Sequence, residues 1–142
     1  YVSLTKQTRA LRVIDFADAR SESPGESYSR ALMYRHGLPI PDLQREFHGP
    51  DGRLLGRTDF YWEEGNLVGE FDGAVKYGPV TNGSHQAGRD ALIQEKRRED
   101  RIRATGVGFV RWTWSETARD AAHPDGLVQL LVGSGLRRRR RR

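Results

Sequence analysis

Two short apolar-aromatic runs, Arg53 to Trp62 and Leu67 to Asp72, are separated only by Glu63-Glu64-Gly65-Asn66. Alternation on both sides of so short a break is the pattern of a β-hairpin. Pairing sorts the side chains by period two. Asp59 and Tyr61 take one face of their strand, Phe60 and Trp62 the other. On the next strand Val68, Glu70 and Asp72 lie opposite Leu67, Gly69 and Phe71. A turn centred on Glu64-Gly65 sets Trp62 against Leu67 and Asp59 against Glu70. Directly opposed side chains are only ~5 Å apart at Cβ, and like charges so placed destabilise a sheet. Asp59, Glu70 and Asp72 therefore need protonation, basic neighbours or a cation. Their all-oxygen character suits a hard ion, Mg²⁺ or Mn²⁺, better than zinc. The plainer alternative is a solvated face whose acids pair with Arg53, Arg57 or Lys76.

The flanking signals set the rest of the order. Ser23-Pro24-Gly25-Glu26 combines a favoured N-cap, a proline at the first helical position and a glutamate completing a capping box. It predicts a helix to about His36, with Tyr28, Leu32 and Arg35 on one stripe and Gly37 as the left-handed stop. Leu43 to His48 is a further strand, closed by Gly49-Pro50-Asp51-Gly52. Gly73 to Gln86 reads as loop, Ala87 to Thr105 as a charged helix ended by Gly106, Val107 to Trp114 as a fourth strand and Asp125 to Val132 as a short helix. Helix, three strands, helix, strand is a mixed α/β domain with helices packed on its sheet. It is expected over residues 23–132, after a linker or helix over 1–22 carrying Leu11, Ile14 and Ala17, and before a basic disordered tail over 133–142.

Charge and composition narrow the chemistry. Six of the 24 basic residues are Arg137 to Arg142, leaving 18 basic against 19 acidic residues in the body. The basic character thus belongs to the tail, which would attract phosphates. No cysteine is present, which removes disulfides and thiolate chemistry. His36, His48, His85 and His123 are scattered without metal-binding spacing. No apolar run is long enough to span a membrane, so a cytoplasmic protein is the expectation.

With Asp59 on the second strand and Glu70 on the third, the chain resembles the PD-(D/E)XK nuclease superfamily. That superfamily carries catalytic Mg²⁺ on an Asp and a Glu at these places in an αβββαβ core. More narrowly, it is similar to small endonuclease-like domains related to very-short-patch repair enzymes, whose third strand ends in Glu-x-Asp-Gly-x-x-His. The corresponding run is Glu70-Phe71-Asp72-Gly73-Ala74-Val75-Lys76. Glu95, Arg98-Glu99, Gly106 and the strand Phe109 to Trp112 also match, so the resemblance covers roughly residues 23–114. It implies a restriction-endonuclease-like fold, DNA phosphodiester hydrolysis, and Asp59, Glu70 and Asp72 at the metal. Asp72 stands where the superfamily carries lysine, and Lys76 where the subgroup carries histidine. Lys76 is thereby the expected water-orienting cation. Glu26 is both an N-cap partner and, by the resemblance, a helix acid near the metal. Arg98, Lys96 and Arg57, with Arg137 and Arg138 of the tail, are the expected phosphate contacts. Similar domains lie C-terminal in abortive-infection antitoxin-like proteins, after a DNA-binding module. An inactive, nucleic-acid-binding or regulatory domain is the alternative reading.

Overall fold

The computed structural model describes residues 4–73 and 85–139. Helix α1 spans Leu4–Phe16 and α2 spans Pro24–Arg35. Strands β1 (Asp42–His48), β2 (Leu54–Trp62) and β3 (Leu67–Phe71) follow, with a 3-10 turn at Glu63–Gly65. Then come α3 (His85–Arg103), β4 (Gly108–Trp112) and two short helices, α4 (Trp114–Thr117) and α5 (Leu127–Gly133). The four strands form one mixed sheet in the order β1-β2-β3-β4. The first three pair antiparallel, and β4 joins β3 in parallel after the crossover through α3. The expected mixed α/β architecture is therefore the one observed.

The hairpin has the register its turn predicts: Trp62 pairs with Leu67, Tyr61 with Val68 and Phe60 with Gly69. Asn66 closes the turn at φ 43°, a left-handed conformation that asparagine tolerates well. One face of the sheet carries the main core, in which Phe60 lies 6.2 Å from the Trp62 ring and 5.2 Å from that of Trp112. Met33 of α2 and Leu127, Val128 and Leu131 of α5 complete it. Both tryptophan indoles are satisfied as well as buried, donating to Pro39 O at 2.9 Å and Ser29 Oγ at 2.9 Å. Helix α3 contacts β2, and Val68 and Ile102 are buried outside the main cluster.

Gly69 is a point of close packing between the two core tryptophans. A Cβ there would sit 2.7 Å from Trp112 Cζ3 and 2.8 Å from Trp62 Cζ3. Gly69→Ala should therefore destabilise the domain by ~2 kcal/mol through overpacking. Urea unfolding would check this, with a midpoint equal to wild type counting against the packing described.

Several expectations need correction. The buried stripe of α2 is Gly25, Glu26, Ser29, Arg30 and Met33; Tyr28 is 45% exposed. Its periodicity was masked by the small and charged residues that do the packing. The fourth strand stops at Trp112, because Thr113 accepts from Ser115 N and exchanges bonds with Glu116 in a capping box that starts α4. Trp114 is consequently outside the core, against Phe71 at 5.1 Å and Tyr28 at 6.1 Å. In α1, Leu11 and Ile14 are exposed, while Phe16 lies 5.1 Å from Tyr34 and its carbonyl accepts from Arg30. The expected tail begins in structure. Leu136 is buried, Arg138 Nε donates to His36 O at 2.8 Å, and Arg139 N to Gly37 O at 2.7 Å.

Candidate functional site

Besides a register shift between Phe47 and His48, the sheet breaks its regularity at the level of Asp59. Between β1 and β2, Leu43 pairs with Phe60 and Arg45 with Thr58, but the intervening pair, Gln44 with Asp59, is missing from the ladder. Gln44 has φ 55°. Between β2 and β3 the ladder ends at Phe60 and Gly69. One residue further on, the Asp59 carboxylate itself accepts from Phe71 N at 2.9 Å, in place of a cross-strand carbonyl. Asp59 thus stands where both ladders of β2 lapse.

Three elements bring acids to this level. Glu26 is 6% exposed at the start of α2 and Glu70 is 8% exposed on β3. Glu26 and Glu70 both act on the half-buried Asp59, whose carboxyl is pushed up to about 6. Burial is the largest cause, the charges of Glu26 and Glu70 add to it, and the Phe71 N–H and Arg98 oppose it. A carboxylate so poised changes charge near neutrality, which is a common property of working sites.

Glu26 does more than cap. Ser23 Oγ accepts from Glu26 N at 3.1 Å, the first half of the expected box. The carboxylate, however, accepts from Glu22 N at 2.9 Å, Ser23 Oγ at 2.8 Å and Gln44 Nε2 at 3.2 Å. Its third partner comes from the sheet. A carboxylate offers about four acceptor positions, so one remains.

Glu70 is held differently. Arg98 Nη2 reaches one oxygen at 2.7 Å and Arg111 Nη2 the other at 2.8 Å. Arg98 also binds Glu95 at 2.6 Å and donates to Arg57 O at 2.9 Å, and Arg111 binds Glu95 at 3.1 Å. The hydrogen bond to Glu95 first, and then Glu70, hold the Arg98 guanidinium above its usual range despite burial. Arg98, one of the expected phosphate contacts, thus faces the acids.

The remaining expected residues are dispersed. Asp72 is exposed beyond the end of β3, its backbone N donating to Trp112 O at 2.8 Å. Lys96 pairs with Asp100 at 3.3 Å and Arg57 with Glu22 at 2.9 Å, both on the surface. Arg137 and Arg138 are exposed next to the C-terminal end of α2. Lys76 lies outside the described residues. Gln44 and Arg111 were not anticipated. A positive φ on glutamine has no sequence signature, but Arg111 sits in the strand next to Glu70 and a charge-pairing rule applied to β4 would have found it.

Among the described residues, no group of three or more His, Asp or Glu is placed to share a metal ion. The donor set still fits Mg²⁺ in kind, because that ion keeps several waters and is commonly held by one or two carboxylates. Asp59 and Glu26 supply two from different elements, with Glu70 already neutralised by its arginines.

Fold and site together define a mixed α/β domain with a half-buried acid cluster at a lapse in its sheet. Two Mycobacterium tuberculosis proteins are similar to it: uncharacterized protein MT2308 of strain CDC 1551 / Oshkosh and uncharacterized protein Rv2248 of strain ATCC 25618 / H37Rv. Each is 33% identical over 101 residues, which is 71% of this chain and 34% of the relative. The chain thus spans about a third of the length of the curated relatives it matches. No protein-family profile matches the chain, and no solved structure matches it significantly. No helix among the described residues is long and apolar enough to cross a membrane.

Proposed function

We propose that this is a nuclease-like domain of the PD-(D/E)XK kind that hydrolyses DNA phosphodiester bonds with Mg²⁺ or Mn²⁺, working in the cytoplasm. The observation that carries the reading is the lapse in the sheet at Asp59, which leaves a carboxylate with raised pKa beside a second, buried one, Glu26. Structural acids in a sheet are normally paired off, as Glu70 is here. Asp59 accepts one backbone N–H through Oδ2.

Asp59 and Glu26 are the residues that would hold the ion, and Glu70 would join them only by releasing a guanidinium. A bound divalent ion supplies charge on the phosphate oxygen and a water of lowered pKa. The chain's own residues do the rest. The Phe71 N–H fixes one Asp59 oxygen, the α2 cap fixes Glu26, and Arg98 and Arg111 keep Glu70 from adding a third uncompensated charge.

The second reading, a nuclease-like domain that binds nucleic acid without cleaving it, is favoured by the capture of both Glu70 oxygens. Cleavage assays on duplex, mismatched and single-stranded DNA with Mn²⁺ or Mg²⁺ separate the two. Ion-dependent strand scission, abolished by chelator, is expected. Binding without scission on all three substrates would replace the enzyme reading with the second one.

A further inference from the structure

We infer that Gln44 is the positioning residue of this site: from a left-handed backbone conformation in mid-strand, its amide fixes the buried Glu26 carboxylate at the level of Asp59. The inference rests on the nuclease reading and adds to it a residue that neither the sequence pattern nor the resemblance indicates.

The backbone is the first argument. Among the described residues only Gln44 and Asn66 combine a side chain with positive φ. Asn66 is in a hairpin turn, where that conformation is useful and asparagine bears it cheaply. Gln44 is inside β1, where no turn asks for it. A non-glycine residue there costs ~1–3 kcal/mol and persists only when the surroundings enforce it. The same conformation removes the Gln44–Asp59 rung from the ladder. The strain in β1 and the lapse on its side of Asp59 therefore fall on the same residue.

The second argument is the path of the hydrogen bonds. Two of the three donors to Glu26 are local to the helix start, Glu22 N and Ser23 Oγ. They would hold the carboxylate in any capped helix. Gln44 Nε2 is the one drawn from the sheet, 18 residues away in sequence. It is also the residue that the register sets across from Asp59. Gln44 therefore converts a capping glutamate into a member of the site. Groups that orient a metal-binding carboxylate in this way commonly change metal affinity 10–100-fold when removed.

The test uses the whole chain, Mn²⁺ alone as the probe, and the variants Gln44→Gly and Gln44→Asn. Glycine adopts φ 55° without steric strain but has no side-chain amide to offer. Gln44→Gly should therefore melt at or above the wild-type Tm in the absence of metal while its Mn²⁺ affinity, by calorimetry, falls about tenfold. Asparagine tolerates the conformation and keeps an amide one methylene shorter, so it should recover part of the affinity. A residue with only a structural role would not lower affinity while raising Tm. If Gln44→Gly binds Mn²⁺ as tightly as wild type, the positioning role is overturned and the nuclease reading stands. If the wild type binds no Mn²⁺, the metal reading falls and the inference falls with it.

Discussion

Asp59→Asn is expected to give a protein that melts higher without metal, gains nothing from Mn²⁺ and no longer cleaves DNA. The stability effect follows from the Asp59 carboxyl, which titrates at about 6 in the folded protein against an ordinary 3.8. The folded state then binds the proton more tightly than the unfolded chain does. Stability falls as pH rises from about 4 to about 6, and above that window the full cost of the buried charge is present. Two pKa units correspond to ~3 kcal/mol, and partial solvent access reduces this to ~1–2 kcal/mol. Asparagine carries no charge, and its carbonyl can still accept the Phe71 N–H. At pH 7.5 the variant should melt ~3–6 °C above wild type, and at about pH 3, below that window, the two should nearly coincide. The second effect is larger. Wild type should gain ~2–3 kcal/mol from Mn²⁺ at about 100 times its Kd, by preferential binding to the folded state. The variant should gain almost none, and single-turnover cleavage should fall at least ~10²-fold, the scale for losing a group that organises developing charge. Thermal scans across pH with and without Mn²⁺ report both. A wild-type pH profile in the variant would mean that Asp59 ionises normally, and an undiminished Mn²⁺ gain would remove it from the ion site.

The hairpin was legible because two signals agreed: alternation fixed the faces, and the turn Glu63-Glu64-Gly65-Asn66 fixed the register. Helix α2 was legible from its cap. Its buried face was not, because Gly25, Glu26, Ser29 and Arg30 are residues whose type argues for a surface. Gly25 illustrates the reason: a Cβ there would clash with the Phe71 ring, so its smallness permits α2 to approach β3. The capping box from Thr113 to Glu116 was present in the sequence, yet the alternation of Trp112 and Trp114 pointed more strongly to a continuing strand. At the site, Asp59, Glu70 and Glu26 are local features that pattern and resemblance can find. What each acid binds depends on which residues of distant elements face it, and period-two or period-3.6 reasoning within one segment carries no such information. Arg98 and Arg111 on Glu70, and Gln44 on Glu26, are contacts of that kind.

Arg98→Met is expected to be the most destabilising of these changes, and it also decides what Glu70 is for. Arg98 donates to four acceptor oxygens: one of Glu70 at 2.7 Å, both of Glu95 at 2.6 and 2.9 Å, and the Arg57 carbonyl at 2.9 Å. Its stem packs where Gly56 leaves room, since a Cβ on Gly56 would lie 2.9 Å from Arg98 Cγ. Methionine keeps much of that packing and removes the charge. Breaking a buried pair from one side costs ~3–5 kcal/mol. Arg111 stays on Glu70 and Glu95 is partly solvated, so ~2–3 kcal/mol is the expectation, a Tm lowered by about 10 °C. Adding Glu70→Gln should restore at least half, because an amide needs no counter-charge. A single variant as stable as wild type, or a double variant less stable than the single, would show that the network does not hold the fold in this way. Mn²⁺ affinity then separates two arrangements of the acids. If Asp59 and Glu26 hold the ion, Arg98→Met should leave the Kd within about threefold of wild type, a change under ~0.7 kcal/mol. If Glu70 is a ligand suppressed by its arginines, releasing it should tighten binding tenfold or more. The geometry favours the first result, since Arg111 holds the other Glu70 oxygen at 2.8 Å by a contact that does not run through Arg98.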